Sequence, residues 1–243
     1  MNITCGFISK QGDRELNEDS IYQNTATDSG IYAVADGLGG HERGEVASQT
    51  VIQTIKEIFE STDSGALNLS DTFELCQQNL LQKQNDLGAR NEMKTTLTVL
   101  SVSENCITWG HVGDSRLYAF NNNRVKTRTL DHSVPQMLVL SGDIPERKIR
   151  NHPDRNLLLK VMGINWEEPQ YEISDTYSTS DYTAFLLCSD GFWELINERQ
   201  MCSCLRKSKT VQEWIDMMTA IVEKNGKGKD MDNYSAVAVW LRC

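Results

Sequence analysis

Residues 95–123 read TTLTVLSVSENCITWGHVGDSRLYAFNNN. Thr95–Val102 is dense in β-branched side chains, which suit a pleated and half-buried surface. Ser103-Glu104-Asn105 is a short polar break, Cys106–Val112 is a second apolar run, and Ser115–Phe120 follows almost at once. Asn121-Asn122-Asn123 then supplies turn chemistry. Strands joined so tightly predict an antiparallel meander. Working outward, Ile31–Asp36, entered from the Asp28-Ser29-Gly30 turn, Thr183–Ser189 and Tyr234–Leu241 also read as strands. Helical spacing fills the intervals. Glu45–Glu60 repeats Ala47, Val51, Ile55, Ile58 and Phe59, and Asp71–Leu87 opens on a capping aspartate and carries Leu75, Leu80 and Leu81. Val211–Lys224 bears Val211, Trp214, Ile215, Met218, Ile221 and Val222 on one stripe, read as core filling. The class is α+β. Two packed antiparallel sheets covered by helices would bury these stripes, an arrangement that periodicity permits but does not by itself prove.

The 243 residues carry no internal repeat, low-complexity tract or Pro/Gly-rich linker, so a single domain over 1–243 is expected. Asp plus Glu is 34 against 24 Lys plus Arg, a net charge of -10, which argues against a nucleic-acid partner. The same acidity suits a metal site before its ions are counted, and it also keeps a protein soluble. Met1–Lys10 lacks the basic segment and apolar run of a secretory leader, and the strongly apolar stretches Ala184–Cys188 and Ala236–Leu241 are strand-length. A cytoplasmic protein without membrane attachment is expected. The seven cysteines, at 5, 76, 106, 188, 202, 204 and 243, follow no framework spacing, and Cys202-Ser203-Cys204 lacks a matching second pair, so free thiols are expected.

The chemistry-bearing residues are aspartates where strands stop. Asp36 is followed by Gly37-Leu38-Gly39-Gly40, Asp114 lies in Gly113-Asp114-Ser115-Arg116, Asp190 ends an apolar run before Gly191, and Asp232 precedes Asn233 and the last strand. Glycine beside such a carboxylate lets the backbone turn sharply and approach an ion. Oxygen donors alone suit Mg²⁺ or Mn²⁺, and no His/Cys spacing for zinc competes. Each Asp-Gly taken singly is an ordinary turn; four at strand ends point to a metal site. Near the start, Arg14-Glu15-Leu16-Asn17-Glu18-Asp19 offers an arginine able to fork onto a phosphate, or else a solvated charged turn.

At these residues the chain resembles the metal-dependent PPM, or PP2C-like, serine/threonine phosphatases in their compact bacterial form. The resemblance lies in RELNED at 14–19, VADGLGGHERGEVAS at 34–48, TTL at 95–97, GHVGDSRLY at 110–118, LDHS at 130–133, LCSDGFWE at 187–194 and DNYSAVAV at 232–239, in the family's order. It implies a four-layer αββα sandwich and a reaction in which a metal-bound hydroxide removes phosphate from phosphoserine or phosphothreonine. Asp36 would bridge two Mn²⁺ or Mg²⁺ ions, the Gly37 carbonyl would bind the second, and Asp190 and Asp232 would complete the first. Asp114 with Asp190 would match a weaker third position. Glu18 and Asp19 would act mostly through water, and Arg14 would hold the substrate phosphate. His41 would either protonate the leaving group or shape the Gly-rich loop, and His132 would be structural or line the cleft. Ser141–Gly163 resembles a mobile flap and the helix after it; its Arg147, Lys148, Arg150 and Arg155 would either steer acidic substrates or face solvent. Departures are small: Leu38 stands where animal members have the histidine, and Asn233-Tyr234-Ser235 touches packing more than metal binding.

Phosphorylated proteins are therefore the expected partners, and a cognate serine/threonine kinase in bacterial signalling or secretion control the expected opponent, for a monomeric enzyme. Two alternatives are a catalytically silent phosphoprotein-binding module and a small-molecule phosphomonoesterase. Presence of Asp36, Asp190 and Asp232 argues against the first; a comparison of phosphopeptides with small phosphomonoesters separates the second.

Overall fold

The computed structural model describes residues 2–26, 29–38, 43–61, 67–90 and 92–242. Asp28, Gly39, Gly40, His41 and Cys243 lie outside the described residues. The elements run β1 (Asn2–Lys10), β2 (Asp19–Thr25), β3 (Gly30–Leu38), α1 (Arg43–Glu60), α2 (Leu69–Asp86), β4 (Lys94–Thr95), β5 (Leu97–Val102), β6 (Cys106–Val112), β7 (Arg116–Asn121), β8 (Arg124–Arg128) and α3 (Val134–Leu140). After a 3₁₀ segment at Glu146–Asn151 come β9 (Glu172–Ile173), β10 (Tyr177–Ser178), β11 (Ala184–Cys188), α4 (Asp190–Trp193), α5 (Glu198–Lys207), α6 (Val211–Gly226) and β12 (Tyr234–Arg242).

Two antiparallel sheets form, one in the order β1-β12-β11-β7-β8 and one in the order β10-β6-β5-β3-β2, with β4 on β3 and β9 on β6. Side-chain alternation sorts each strand between two cores. In β12, Val237 and Val239 meet Leu187, Tyr32 and Val34 between the sheets, while Ala236, Ala238 and Trp240 face Trp214, Ile215 and Met218 of α6. In β3, Tyr32 and Val34 face inward, and Ile31, Ala33 and Ala35 meet Val51, Ile55, Phe73 and Leu80 of α1 and α2. The result is the four-layer αββα sandwich. Each of these fully buried Val, Leu, Ile and Phe side chains contributes about 1.5–3 kcal/mol by leaving water.

Three local expectations are corrected. First, residues 95–123 are no meander. β5 and β6 pair in one sheet, but β7 pairs with β11 and β8 in the other, so the chain crosses between sheets at Gly113-Asp114-Ser115. Gly113 makes this possible with φ +97, a conformation that side chains other than glycine's resist. β8 returns from β7 through Asn122 and Asn123 at φ 51 and 56, as that turn chemistry requires. Secondly, α2 starts at Leu69, not Asp71: the Asn68 side chain accepts from the backbone N–H groups of Ser70 and Asp71. Its buried face is Leu69, Phe73, Cys76, Leu80 and Gln84, which leaves Leu75 exposed. Thirdly, the flap segment 141–163 holds the 3₁₀ segment and turns but no following α-helix. Among the described residues, no helix is long and apolar enough to cross a membrane.

Candidate active site

The strand ends deliver their carboxylates to one cavity of about 1020 Å³. Arg14, Glu18, Asp36, Gly37, Asp114, Asp190 and Asp232 all line it. Asp19 lies behind them, buried and directly opposite Asp36 in the β2–β3 ladder. His41 is outside the described residues.

Each position has a local cause. Asp36 is fixed by its backbone, whose N–H donates to Thr96 Oγ1 (3.0 Å) and whose carbonyl accepts from Thr96 N and Thr95 Oγ1 (2.9 Å each). Beyond it, Gly37 packs so closely that a Cβ would stand 2.2 Å from the Gly44 carbonyl oxygen. The Glu18 carboxylate takes the N–H groups of Gly44 and Glu45 at the start of α1, where the helix dipole favours a negative charge. Asp190 is the first residue of α4, and a Cβ on Gly191 would meet the Asn233 carbonyl at 2.2 Å. Asn233 ties the two rim loops: its Oδ1 accepts from Glu18 N (2.8 Å), and its Nδ2 donates to the Gln11 and Leu16 carbonyls (2.6 and 2.8 Å). The departure at 233–235 therefore leaves the loop tie in place.

Arg14 forks onto Asp232, with Nε to Oδ1 at 3.0 Å and the terminal nitrogen to Oδ2 at 2.9 Å. Its pKa is raised, chiefly by the hydrogen bond to and charge of Asp232. Ser189 Oγ donates to Asp19 Oδ2 (2.7 Å) and accepts from Ser235 N (2.9 Å), whereas Asp19 Oδ1 has no partner among the described residues.

The electrostatics are those of packed carboxylates. Burial raises Asp36 well above the ordinary carboxylate range, and Asp19, Asp190, Asp114 and Asp232 push it further. Asp190 is raised in the same way by burial, then by Asp114, Glu194 and Asp232. Asp19 and Asp114 are each pushed up to about 7, again chiefly by burial. Such a set favours either protons or cations.

Away from the cavity, His111, His132 and Glu172 bring one potential ligand atom each within 4.8 Å, a set capable of coordinating one metal ion. Their hydrogen bonds also give them structural work. Burial and the neighbouring His111 lower the His132 pKa to about 4, so the ring is neutral near pH 7. Its Nδ1 accepts from Gly113 N (3.2 Å) and its Nε2 faces Glu172 (3.1 Å), while His111 Nε2 bonds the Leu130 carbonyl (2.8 Å). This agrees with the structural reading of His132.

The basic cluster of the flap is partly spent inside the fold. Arg150 bonds the Trp193 and Ile196 carbonyls and Glu198, and Arg155 pairs with Glu194, which leaves Arg147 and Lys148 exposed. Sequence reasoning missed the supporting residues Ser189, Gly44 and Trp193. Ser189 and Trp193 flank Asp190 in the chain, and adjacency to a candidate ligand was the available signal.

Residues 9–236 match the family model described as protein phosphatase 2C. The chain belongs to the protein phosphatase 2C family. Members of this family form the PPM type, and the chain is a metal-dependent serine/threonine protein phosphatase of that type. It is 31% identical over 236 residues to the serine/threonine phosphatase stp of Listeria innocua, covering 93% of this chain and 90% of that one. Among solved structures it resembles serine/threonine phosphatase Stp1 from Staphylococcus aureus, with a TM-score of 0.88, 26% identity and coverage of 100% and 96% of the two chains. It also resembles the catalytic domain of PstP in complex with two manganese ions, with a TM-score of 0.80, 25% identity and coverage of 98% and 97%.

Proposed function

We propose that this phosphatase acts on phosphoserine and phosphothreonine in bacterial proteins, opposing a serine/threonine kinase, through two Mn²⁺ or Mg²⁺ ions held at the carboxylate cavity. The observation that carries this reading is the convergence of Asp36, Asp114, Asp190 and Asp232 on one cavity, backed by a buried Asp19 oxygen without a partner among the described residues. The donor set fits hard divalent ions: every candidate is an oxygen, and the carboxylates repel one another until a cation intervenes. Asp36 would bridge the pair, the Gly37 carbonyl would serve one ion, and Asp190 and Asp232 the other. Asp114 with Asp190 would take a weaker third. Bound ions of this kind lower the pKa of water and neutralise phosphoryl charge.

The chain's own residues supply the rest. Arg14 stands at the cavity mouth, held by Asp232, with a planar fork suited to two phosphate oxygens. Asp19, anchored through Ser189, sits against Asp36 and adds negative charge behind it. Glu18 is bound to the start of α1 and would act on the ions mostly through water. His41, which follows Gly39-Gly40 in the sequence, is proposed either as the proton donor to the leaving alkoxide or as a residue that shapes the Gly-rich loop. Free thiols among the described cysteines suit a reducing cytoplasm.

Calorimetric titration with Mn²⁺ tests the site. Asp190→Asn is expected to abolish tight binding and most phosphopeptide turnover with the fold retained. Glu172→Gln, in the histidine cluster, is expected to keep both. The reverse pattern would move the catalytic metal to His111, His132 and Glu172.

A further inference from the structure

The crossover Gly113-Asp114-Ser115 carries a candidate ligand at the point where the chain leaves one sheet for the other. Side chains from separate segments hold it. His132 takes the Gly113 N–H, Ser115 Oγ bonds Thr96 Oγ1 (2.8 Å), and Thr98 Oγ1 donates to the Ser115 carbonyl (2.8 Å). Asp114 itself is gripped by Trp193, whose indole Nε1–H donates to the Asp114 carbonyl at 3.0 Å.

Trp193 is no ordinary core residue in its connections. It ends α4, the single helical turn that begins with Asp190, so one rigid ring spans the two candidate ligands of the weaker metal position. Its plane is clamped. The Arg116 guanidinium lies 3.4 Å from the ring centroid and the Arg150 guanidinium 5.5 Å. Both arginines are anchored in turn, Arg116 by a fork onto Asp131 (2.7 and 2.5 Å) and Arg150 by Glu198 and two carbonyls of the 193–196 turn. The indole can neither tilt nor slide without breaking buried charged contacts.

We propose that Trp193 is a positioning residue: through its N–H it sets Asp114 relative to Asp190 so that the two carboxylates share one divalent cation. This rests on the reading of Asp114 as a ligand given above. A ligand on a glycine-turned crossover is only as well placed as its supports, and outer partners of this sort typically govern metal affinity by about 10–100-fold. A residue that merely filled the core would leave metal binding alone.

The test is a Mn²⁺ titration of the wild type, Trp193→Phe and Asp114→Asn by calorimetry, with melting of the chelator-treated proteins as the fold control. Phenylalanine keeps most of the buried ring and deletes the N–H. Asp114→Asn is expected to abolish the weaker binding step, and Trp193→Phe to weaken that step about tenfold while the tight steps stay within about twofold. An unchanged weak step in Trp193→Phe, with that step lost in Asp114→Asn, overturns the positioning role. Equal weakening of every step also overturns it. No change in Asp114→Asn overturns the ligand reading itself. A measurement on the unsubstituted sequence covers a poorly folding variant: in 5-fluorotryptophan-labelled protein, the ¹⁹F resonance of Trp193 shifts as Mg²⁺ fills the weaker step. A resonance that stays fixed through that step contradicts the proposal.

Discussion

Replacing Asp19 by asparagine should make the metal-free protein more stable at pH 8 and a poorer metal binder. Asp19 is buried, its Oδ1 has no partner among the described residues, and burial is the main cause that lifts its pKa from 3.8 to about 7. The sign follows from linkage: a carboxyl whose folded pKa is raised favours the folded state while protonated. That stability is fully present below about pH 4 and is lost as the pH rises through 7. A rise of this size corresponds to a loss on the order of 4 kcal/mol by pH 8, at about 1.4 kcal/mol per unit. Asparagine never ionises, and its Oδ1 can still accept from Ser189 Oγ. Its own N–H groups need partners in a tight site, which costs about 1–3 kcal/mol. A net gain of about 2 kcal/mol remains, or roughly 4–8 °C in melting temperature for a chain of this size. The assay is thermal unfolding in excess chelator at pH 5 and pH 8, repeated with Mn²⁺. The gain should appear at pH 8, shrink toward zero at pH 5, and reverse in Mn²⁺, where the wild type recovers more. A loss of stability at pH 8 without metal, or an equal gain at both pH values, would refute the reasoning.

Other outcomes follow from the same geometry. Arg14→Ala should raise KM for a phosphothreonine peptide about tenfold or more with a smaller change in kcat, read by steady-state kinetics, because a charged fork onto phosphate is lost. Gly37→Ala should destabilise the protein by about 1–3 kcal/mol, seen as a lower denaturant midpoint, since the new Cβ would stand 2.2 Å from the Gly44 carbonyl oxygen. Mn²⁺ affinity should fall as the pH drops from 8 to 6, because Asp19 and Asp114, each raised to about 7, then take up protons that the metal must displace; calorimetry in buffers of different ionisation heat would also register the released protons.

The strand-end aspartates were legible in the chain because each adjoins an apolar strand, Asp232 just before one and the others at or just after the end of one, and three of them adjoin a glycine, a local pattern that survives without tertiary information. The apolar run 184–188 only permitted a strand between two layers, in which Phe185 and Leu187 face one core and Ala184, Leu186 and Cys188 the other; the sandwich itself was implied by the family resemblance. What the chain hid was long-range. Nothing in GHVGDSRLY says that β7 leaves the sheet of β6, since both strands keep the same period whichever sheet they join. Asp19 read either as a group acting on metals through water or as part of a charged turn, and its burial follows only from its pairing opposite Asp36. Leu75 fitted the helical stripe by composition but lies off the face that Leu69, Phe73, Cys76 and Leu80 bury. Arg150 and Arg155 read as free positive charge because their partners, Glu198 and Glu194, lie 48 and 39 residues on.

The most direct measurement is phosphate release from a phosphothreonine peptide, with Mn²⁺ and then with excess chelator, for the wild type and Asp190→Asn. Turnover that needs Mn²⁺, stops with chelator and is largely lost in Asp190→Asn is the predicted result. Turnover that survives chelation, a nearly normal rate in Asp190→Asn at saturating Mn²⁺, or no release with any divalent ion would contradict a carboxylate-held metal site as the seat of catalysis.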